Sequence, residues 1–282
     1  MGKKNTDEMS FLDHIEDLRW HLIRITLSIL ICATVAFIFS GFIFEHIIFA
    51  PKRMDFPTYK WLCQASQFIG VNDTTFCAAE FPFKVQSRTM AGQFSADIWT
   101  SIFAGFILAF PYVIYQLWSF ISPGLQTNER RNSRGFIIIA SLLFFLGVAF
   151  GYYVITPLSL NFLTNYTFAE EVSNAFDLSS YNSIVRSSSL AAGLVFELPI
   201  LIYFLTKIGL VTPLLLRKYR KYALVIVLIL SAVITPPDIA SQVIVAIPIL
   251  LLYQISIYIS AIVVRKQKRR AAREIKKSKV KP

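Results

Sequence analysis

The chain has 282 residues, of which 55% are hydrophobic and 16% charged, with a mean hydropathy of +0.56 and a formal net charge of +11. Soluble domains carry about a quarter charged residues, so this deficit, with several long apolar runs, excludes a soluble globular protein and indicates an integral membrane one. The basic excess does not read as a nucleic-acid arm: ten of the 28 Lys and Arg follow Val264, directly behind an apolar span and against one acid, Glu274, which makes 265–282 a basic tail that is solvated or lies at lipid headgroups.

The N-terminal MGKKNTDEMS is polar and carries acids, and the apolar stretch behind it is too long for a signal-peptide core, so no removable leader is expected. SFLDHIEDLRWHLIR, residues 10–24, follows. Ser10 can cap a helix there, with Asp13 three residues on. Phe11, Leu12, Ile15, Leu18 and Leu22 recur at helical spacing, which predicts an amphipathic lead into the first span. The acids at 13, 16 and 17 either serve that helix start and pair with Arg19 or Arg24, or form part of a binding surface.

A helix needs about 20 apolar residues to cross the hydrocarbon. The expected spans are 22–44, 98–118, 136–155, 189–208, 222–235 and 242–264. The fifth, at fourteen residues, is short; the alternative is a single re-entrant hairpin over 222–264. Together they make one six-helix membrane domain over 1–264, all-α, followed by the tail. Arg130, Arg131 and Arg134 in the 119–135 connection, Arg217, Lys218, Arg220 and Lys221 in 209–221, and the tail itself place both termini in the cytoplasm. The long outer loop 45–97 also contains Lys and Arg, but long loops obey that rule weakly. It carries Cys63 and Cys77, which outside the cytoplasm can form a disulfide. Cys32 reads as a small packed hydrophobe, and Trp20, Trp118, Tyr152, Tyr153, Tyr219 and Tyr222 as interfacial anchors.

Nothing points to catalysis. His14, His21 and His46 have no metal-ligand spacing, and there is no phosphate loop, no nucleophile elbow and no intramembrane pair of acids. No enzyme, cofactor or metal is expected. Three polar features stand out instead. In QLWSFISPGLQTNERR, 116–131, Pro123-Gly124 ends the second span and Glu129 is the lone acid of a basic loop; it either pairs with Arg130 or Arg131 or joins the acids near Asp17 around a cationic ligand. In GLVFELPILIYFL, 193–205, Glu197 sits within an apolar run, where an ionised carboxylate costs about 2.5–3.5 kcal/mol. It either holds helices together or faces a watered pocket, and Pro199 is expected to kink the helix beside it. In TPPDIASQ, 235–242, two prolines stop the fifth helix and Asp238 is expected to cap the sixth.

Taken in order, HIEDLR (14–19), FAP (49–51), YQLWSFISPGLQTNERR, FELP (196–199), TPPD and the following SQ make the chain resemble TatC, the multi-spanning receptor subunit of the twin-arginine protein translocase, from about Ser10 to Val264. The resemblance implies a cupped six-helix bundle in the cell inner membrane that binds the twin-arginine signal peptides of folded cargo. It implies assembly with TatA- and TatB-like single-span proteins, a homo-oligomer within the complex, and transport driven by the proton-motive force. The signal-peptide surface carries over to Asp17 and Glu129, with Arg19, Phe120 and Pro123 supporting it. Where the family has Glu before Leu-Arg, this chain has Asp17, one methylene shorter, so a bidentate contact to arginine is longer or shifts to Glu16; both acids stay open. Glu197 matches an inner-wall acid of the family, and Thr235 and Gln242 match a polar patch that contacts partner helices. The rival is an ion-coupled small-solute transporter with Glu197 as coupling site; it predicts an internal repeat, and the sequence shows none.

Overall fold

The computed structural model describes residues 11–53, 55–69, 84–121, 133–166, 175–235 and 238–278. Those residues are helical apart from a two-stranded sheet of three-residue strands and the short connections. In chain order we label α1 Phe11–Ile38, α2 Ser40–Ile43, α3 Pro57–Ile69, β1 Lys84–Gln86, α4 Gly92–Ile121, α5 Ser133–Phe150, α6 Thr156–Asn165, β2 Ala175–Asp177, α7 Leu178–Phe196, α8 Leu198–Lys207, α9 Pro213–Lys218, α10 Arg220–Ile234 and α11 Ile239–Ser278. Among the described residues, five helical stretches are long and apolar enough to cross a membrane: Ile15–Ile38, Gly92–Ile121, Gly135–Asn165, Leu178–Lys207 and Ser241–Arg269. The stretch expected to be a short fifth span is α10, 15 residues and so about 22 Å long.

Most helices run further than their apolar cores. The third stretch does not stop at Ile155: a π-helical turn, Gly151–Ile155, leads directly into α6, where Pro157 occupies the first turn and needs no hydrogen-bond partner for its nitrogen. The fourth starts at Leu178, eleven residues before its apolar run, and breaks once. α7 ends at Phe196, α8 starts at Leu198, and Glu197 occupies the joint, with Pro199 in the first turn of α8. The kink expected at Pro199 is therefore there. Asp238 accepts the Ser241 N–H at 2.8 Å and caps α11, as its place after the prolines suggests.

The chain divides into two compact units. One comprises residues 1–50, 85–142 and 177–182. Its core is the packing of α1 on α4, where side chains are small. Ala33, Ala36, Ala109, Thr100 and Ser101 are buried, and Gly105 lies directly against the Ala33 backbone. Without a hydrophobic drive between helices in lipid, such close approach is what holds them. Asn182 is buried in the same unit and donates to Thr100 Oγ1 at 2.8 Å and to the Ala96 carbonyl at 3.3 Å. Tyr181 donates to the Ile48 carbonyl at 2.8 Å.

Asp177 sits just before α7 and caps it. Its carboxylate accepts the Arg88 N–H at 3.1 Å and the Ser179 N–H at 3.0 Å. The Arg88 N–H, and then the Ser179 hydroxyl and N–H, hold this carboxyl below its ordinary value of 3.8. A folded-state value that is depressed gives stability above the unfolded pKa, and that stability is lost as pH falls through the folded one. Asp177→Asn should thus remove part of the acid sensitivity of this junction below about pH 4. Hydrogen exchange at 84–88 and 175–179, followed against pH in both proteins, checks it; an unchanged profile in the variant counts against the cap.

The second unit comprises residues 51–84, 143–176 and 183–282. Ile155, Ala192, Val227, Val245, Ala246 and Ile249 form its core. Gly147 lets α5 approach α7 closely: a Cβ there would lie 2.7 Å from the Ala192 carbonyl oxygen and 2.8 Å from the Gly193 Cα. α3 is fastened to the π-helical turn and its surroundings. Thr58 donates to the Tyr153 carbonyl, and buried Tyr59 reaches the Pro51 carbonyl at 3.1 Å and the Pro157 carbonyl at 3.3 Å. Cys63, on α3, is disulfide-bonded, whereas Cys32 is free. Cys77 lies outside the described residues.

Candidate functional site

Two places carry polar chemistry that the fold itself does not consume. The first is where the beginning of α1 meets the end of α4. His21 and Phe120 pack edge to face, ring centroids 5.9 Å apart. The His21 Nδ1 lies 2.7 Å from Oε1 of Gln116. A carboxamide oxygen only accepts, so the His21 Nδ1 carries the hydrogen. Gln116, 4% exposed, passes the chain on by donating to the Tyr112 hydroxyl at 2.6 Å. Its amide is thus satisfied at both ends, as a buried amide must be. Gln116 and Phe120 are four apart on α4, and Asp17 and His21 four apart on α1, so each pair shares a helix face.

This contact fixes the surroundings of the expected acids. Glu16, Asp17 and Arg19 are all exposed. The Arg19 guanidinium lies 5.8 Å from the Trp20 ring centroid, at the outer range of a cation–π contact. Among the described residues neither Glu16 nor Asp17 has a hydrogen-bond or ion-pair partner. Among the described residues, then, Glu16 and Asp17 do not pair with Arg19 or Arg24. The side chain of Asp13, and Ser10 entirely, lie outside the described residues, as do Pro123 and Glu129. Glu129 follows Phe120 by nine residues.

His21, Gln116 and Tyr112 were not singled out as site residues by sequence reasoning. The available signal was Gln116, an amide in the last turns of an otherwise apolar helix, where an uncompensated polar group is costly.

The second place is Glu197. Both its carboxyl oxygens are shielded from solvent and have no hydrogen-bond partner among the described residues. The joint between α7 and α8 uses its backbone only: the Ile200 and Leu201 N–H groups bond to the Glu197 carbonyl at 3.0 and 2.9 Å, while the side chain caps nothing. A helix-fastening hydrogen bond, one of the two readings of this acid, is thus not made among the described residues. Thr235 and Gln242 contrast with it. Thr235, 5% exposed, donates to the Ser231 carbonyl at 2.8 Å, and Gln242 donates to the Leu228 carbonyl at 3.0 Å, tying α11 to α10. Gln242, half-buried, is the more available of the two. No group of three or more His, Cys, Asp or Glu able to hold a metal occurs among the described residues.

The family model for the Sec-independent protein translocase protein (TatC) matches residues 13–248, which contain both places. The chain belongs to the TatC family. It is 41% identical, over 94% of its length and 100% of the relative's, to the "Sec-independent protein translocase protein TatC" of Blattabacterium sp. subsp. Periplaneta americana (strain BPLAN). It is 34% identical to the TatC of Aquifex aeolicus (strain VF5), over 92% of this chain and 98% of that one. The solved "Crystal Structure of Twin Arginine Translocase Receptor- TatC" superposes with a TM-score of 0.67 at 32% identity, covering 89% of this chain and 99% of that one. Membership of TatC makes the chain a multi-pass membrane component of a protein translocase and not an enzyme.

Proposed function

We propose that the chain is the receptor subunit of a twin-arginine translocase in the cell inner membrane. It binds the twin-arginine signal peptides of folded proteins, assembles with TatA- and TatB-like single-span proteins and further copies of itself, and works from the proton-motive force. Both termini are cytoplasmic, α10 supplies a sixth, short crossing, and residues 1–264 act as one membrane domain with 265–282 as its basic tail. The observation that carries the recognition step is the pair of exposed carboxylates Glu16 and Asp17, without a partner among the described residues, on the α1 turn that His21 joins to Gln116 and Phe120. The surface takes Arg19, Phe120 and Pro123 as its frame and Glu129 as the second acid. Carboxylates suit arginine because the planar guanidinium makes two parallel hydrogen bonds that an ammonium cannot.

The test is site-specific crosslinking of the membrane-inserted protein to a signal peptide with adjacent arginines and to the same peptide with adjacent lysines. Strong labelling by the first and weak labelling by the second is expected. Equal labelling by both sinks the proposal.

Glu197 is then a docking point for a polar group on a partner helix or a signal-peptide hairpin, supported by its buried oxygens, which have no partner among the described residues. Gln242, with Thr235 behind it, offers a second contact at the end of α10. Glu197→Ala should insert normally yet lose most export of a folded reporter; full export in that variant returns Glu197 to a structural role. Cys63 and Cys77 are proposed as partners in the outer loop, since Cys63 is disulfide-bonded and Cys32 free. Peptide mapping without reductant should recover 63 and 77 in one linked species, and finding Cys77 alkylated under those conditions refutes the pairing.

A further inference from the structure

We infer that the chain carries a docking platform for anionic phospholipid headgroups, built where α8, α9 and the far part of α11 come together. α11 has 40 residues, about 60 Å in length, roughly twice the hydrocarbon thickness. It cannot lie wholly within the membrane. Its apolar stretch ends near Val264, and the next turn reads Arg265, Lys266, Gln267, Lys268, Arg269, every one exposed. The helix does not fray at that point but runs on to Ser278. The cations are therefore presented on a fixed scaffold at the depth where the hydrocarbon ends.

Two hydrogen bonds bring other cations to the same end. Gln267 donates to the Lys207 carbonyl at 3.0 Å, which places the basic turn of α11 beside the end of α8. Tyr253 donates to the Leu216 carbonyl at 2.9 Å, which holds α9 against α11. Leu216 is buried with Ile202 and Ile257, and this sets the roll of α9. Leu214 and Lys218, each two residues from Leu216 and four from one another, take the opposite face. Leu214 is 77% exposed, and Arg217, Lys218 and Tyr219 are exposed beside it. A short helix presenting leucine and lysine on one outer face suits the boundary between acyl chains and headgroups. Arg220 and Lys221 follow at once and are also exposed.

From Lys207 to Arg269 the only acid is Asp238, at the opposite end of α10 and α11. No carboxylate in this stretch neutralises the cluster, and a basic segment adjoining a membrane helix is attracted to anionic headgroups in proportion to its Lys and Arg. The chemistry fits a lipid phosphodiester with its chains in the bilayer better than a free phosphate, because Leu214 and the apolar turns of α11 adjoin the cations.

The experiment uses the full chain in neutral detergent, titrated with phosphatidylglycerol or phosphatidylcholine, with bound lipid counted by native mass spectrometry. Preferential retention of phosphatidylglycerol is expected, weakening as salt rises from about 0.05 M to about 0.5 M. R265Q/K266Q/K268Q/R269Q should weaken it by about tenfold or more, while K266R/K268R should leave it unchanged. Thermal unfolding of both variants without added lipid, close to that of the parent, shows that the fold is intact; the salt dependence is read on the parent alone and needs no variant. Equal retention of the two lipids by the parent overturns the inference. So does unaltered phosphatidylglycerol binding by the fourfold variant, displacement of the lipid by equimolar inorganic phosphate, or tighter binding of a single-stranded RNA than of the lipid.

Discussion

Glu129→Ala, inserted and folded, should lose crosslinking to a twin-arginine signal peptide while keeping its assembly with single-span partners. A hydrogen bond to a charged group contributes about 1.5–3 kcal/mol, so the expected loss of affinity is roughly 10- to 150-fold. Glu129→Gln should behave almost as badly, because it keeps the shape and one acceptor but not the charge. Glu129→Asp should fall between them. The same assay resolves the two acids of α1. If Asp17 is the contact, Asp17→Ala loses binding and Glu16→Ala does not; if the shorter Asp has passed the role to Glu16, the order reverses. Combined with Glu129→Ala, the true contact should show coupling, since both carboxylates would hold one ligand and their effects would not add. Normal crosslinking by Glu129→Ala removes it from the surface.

Gly105→Leu should disrupt the unit that holds this surface. A Cβ at Gly105 would stand 2.5 Å from the Ala33 nitrogen and 2.6 Å from its Cα. Those are backbone atoms of α1 and have no rotamer to escape into, so the two helices must separate or slide. Overpacking costs about 1–3 kcal/mol even where side chains can adjust, and this site is less forgiving. His21 then loses its registration with Gln116 and Phe120, so signal-peptide binding should fall together with thermal stability. Gly135→Ala is the control, because nothing lies within 4 Å of a Cβ there. Equal melting temperatures for the Gly105 variant and the parent would show that the α1–α4 contact is looser than described.

Five of the six expected membrane cores fall in helices long and apolar enough to cross, but their ends lie elsewhere, for one physical reason. A window average sees how polar a segment is but not which way its polar groups face. Residues 178–188 contain Asn182, Arg186 and five serines, and the fourth span was expected to begin at Ser189. The helix begins at Leu178, because Asp177 caps it and Asn182 turns inward to Thr100 and Ala96. The third span was expected to end at Ile155, yet the helix continues through Thr156-Pro157, because proline is tolerated in a first helical turn. Length alone identified α10 as short. Glu197 was conspicuous as a carboxylate with no cationic neighbour in an apolar run, whereas Glu16 and Asp17, with Arg19 close by, stood out only through the resemblance to TatC. His21 did not stand out: its partner is 95 residues away, and only the fold reveals the pair.

The uninterrupted course of α11 has a mechanical consequence. With Pro248 as its only internal proline, the helix transmits any reorientation of its membrane part to the end that protrudes. The fourteen residues from Arg265 to Ser278 extend about 21 Å at ~1.5 Å per residue. A lean of about 10°, well within the range that bilayer thickness alone imposes on spanning helices, sweeps their tip sideways by about 4 Å. Events in the bilayer are in this way geared up, without any hinge, into displacement of a charged lever outside it.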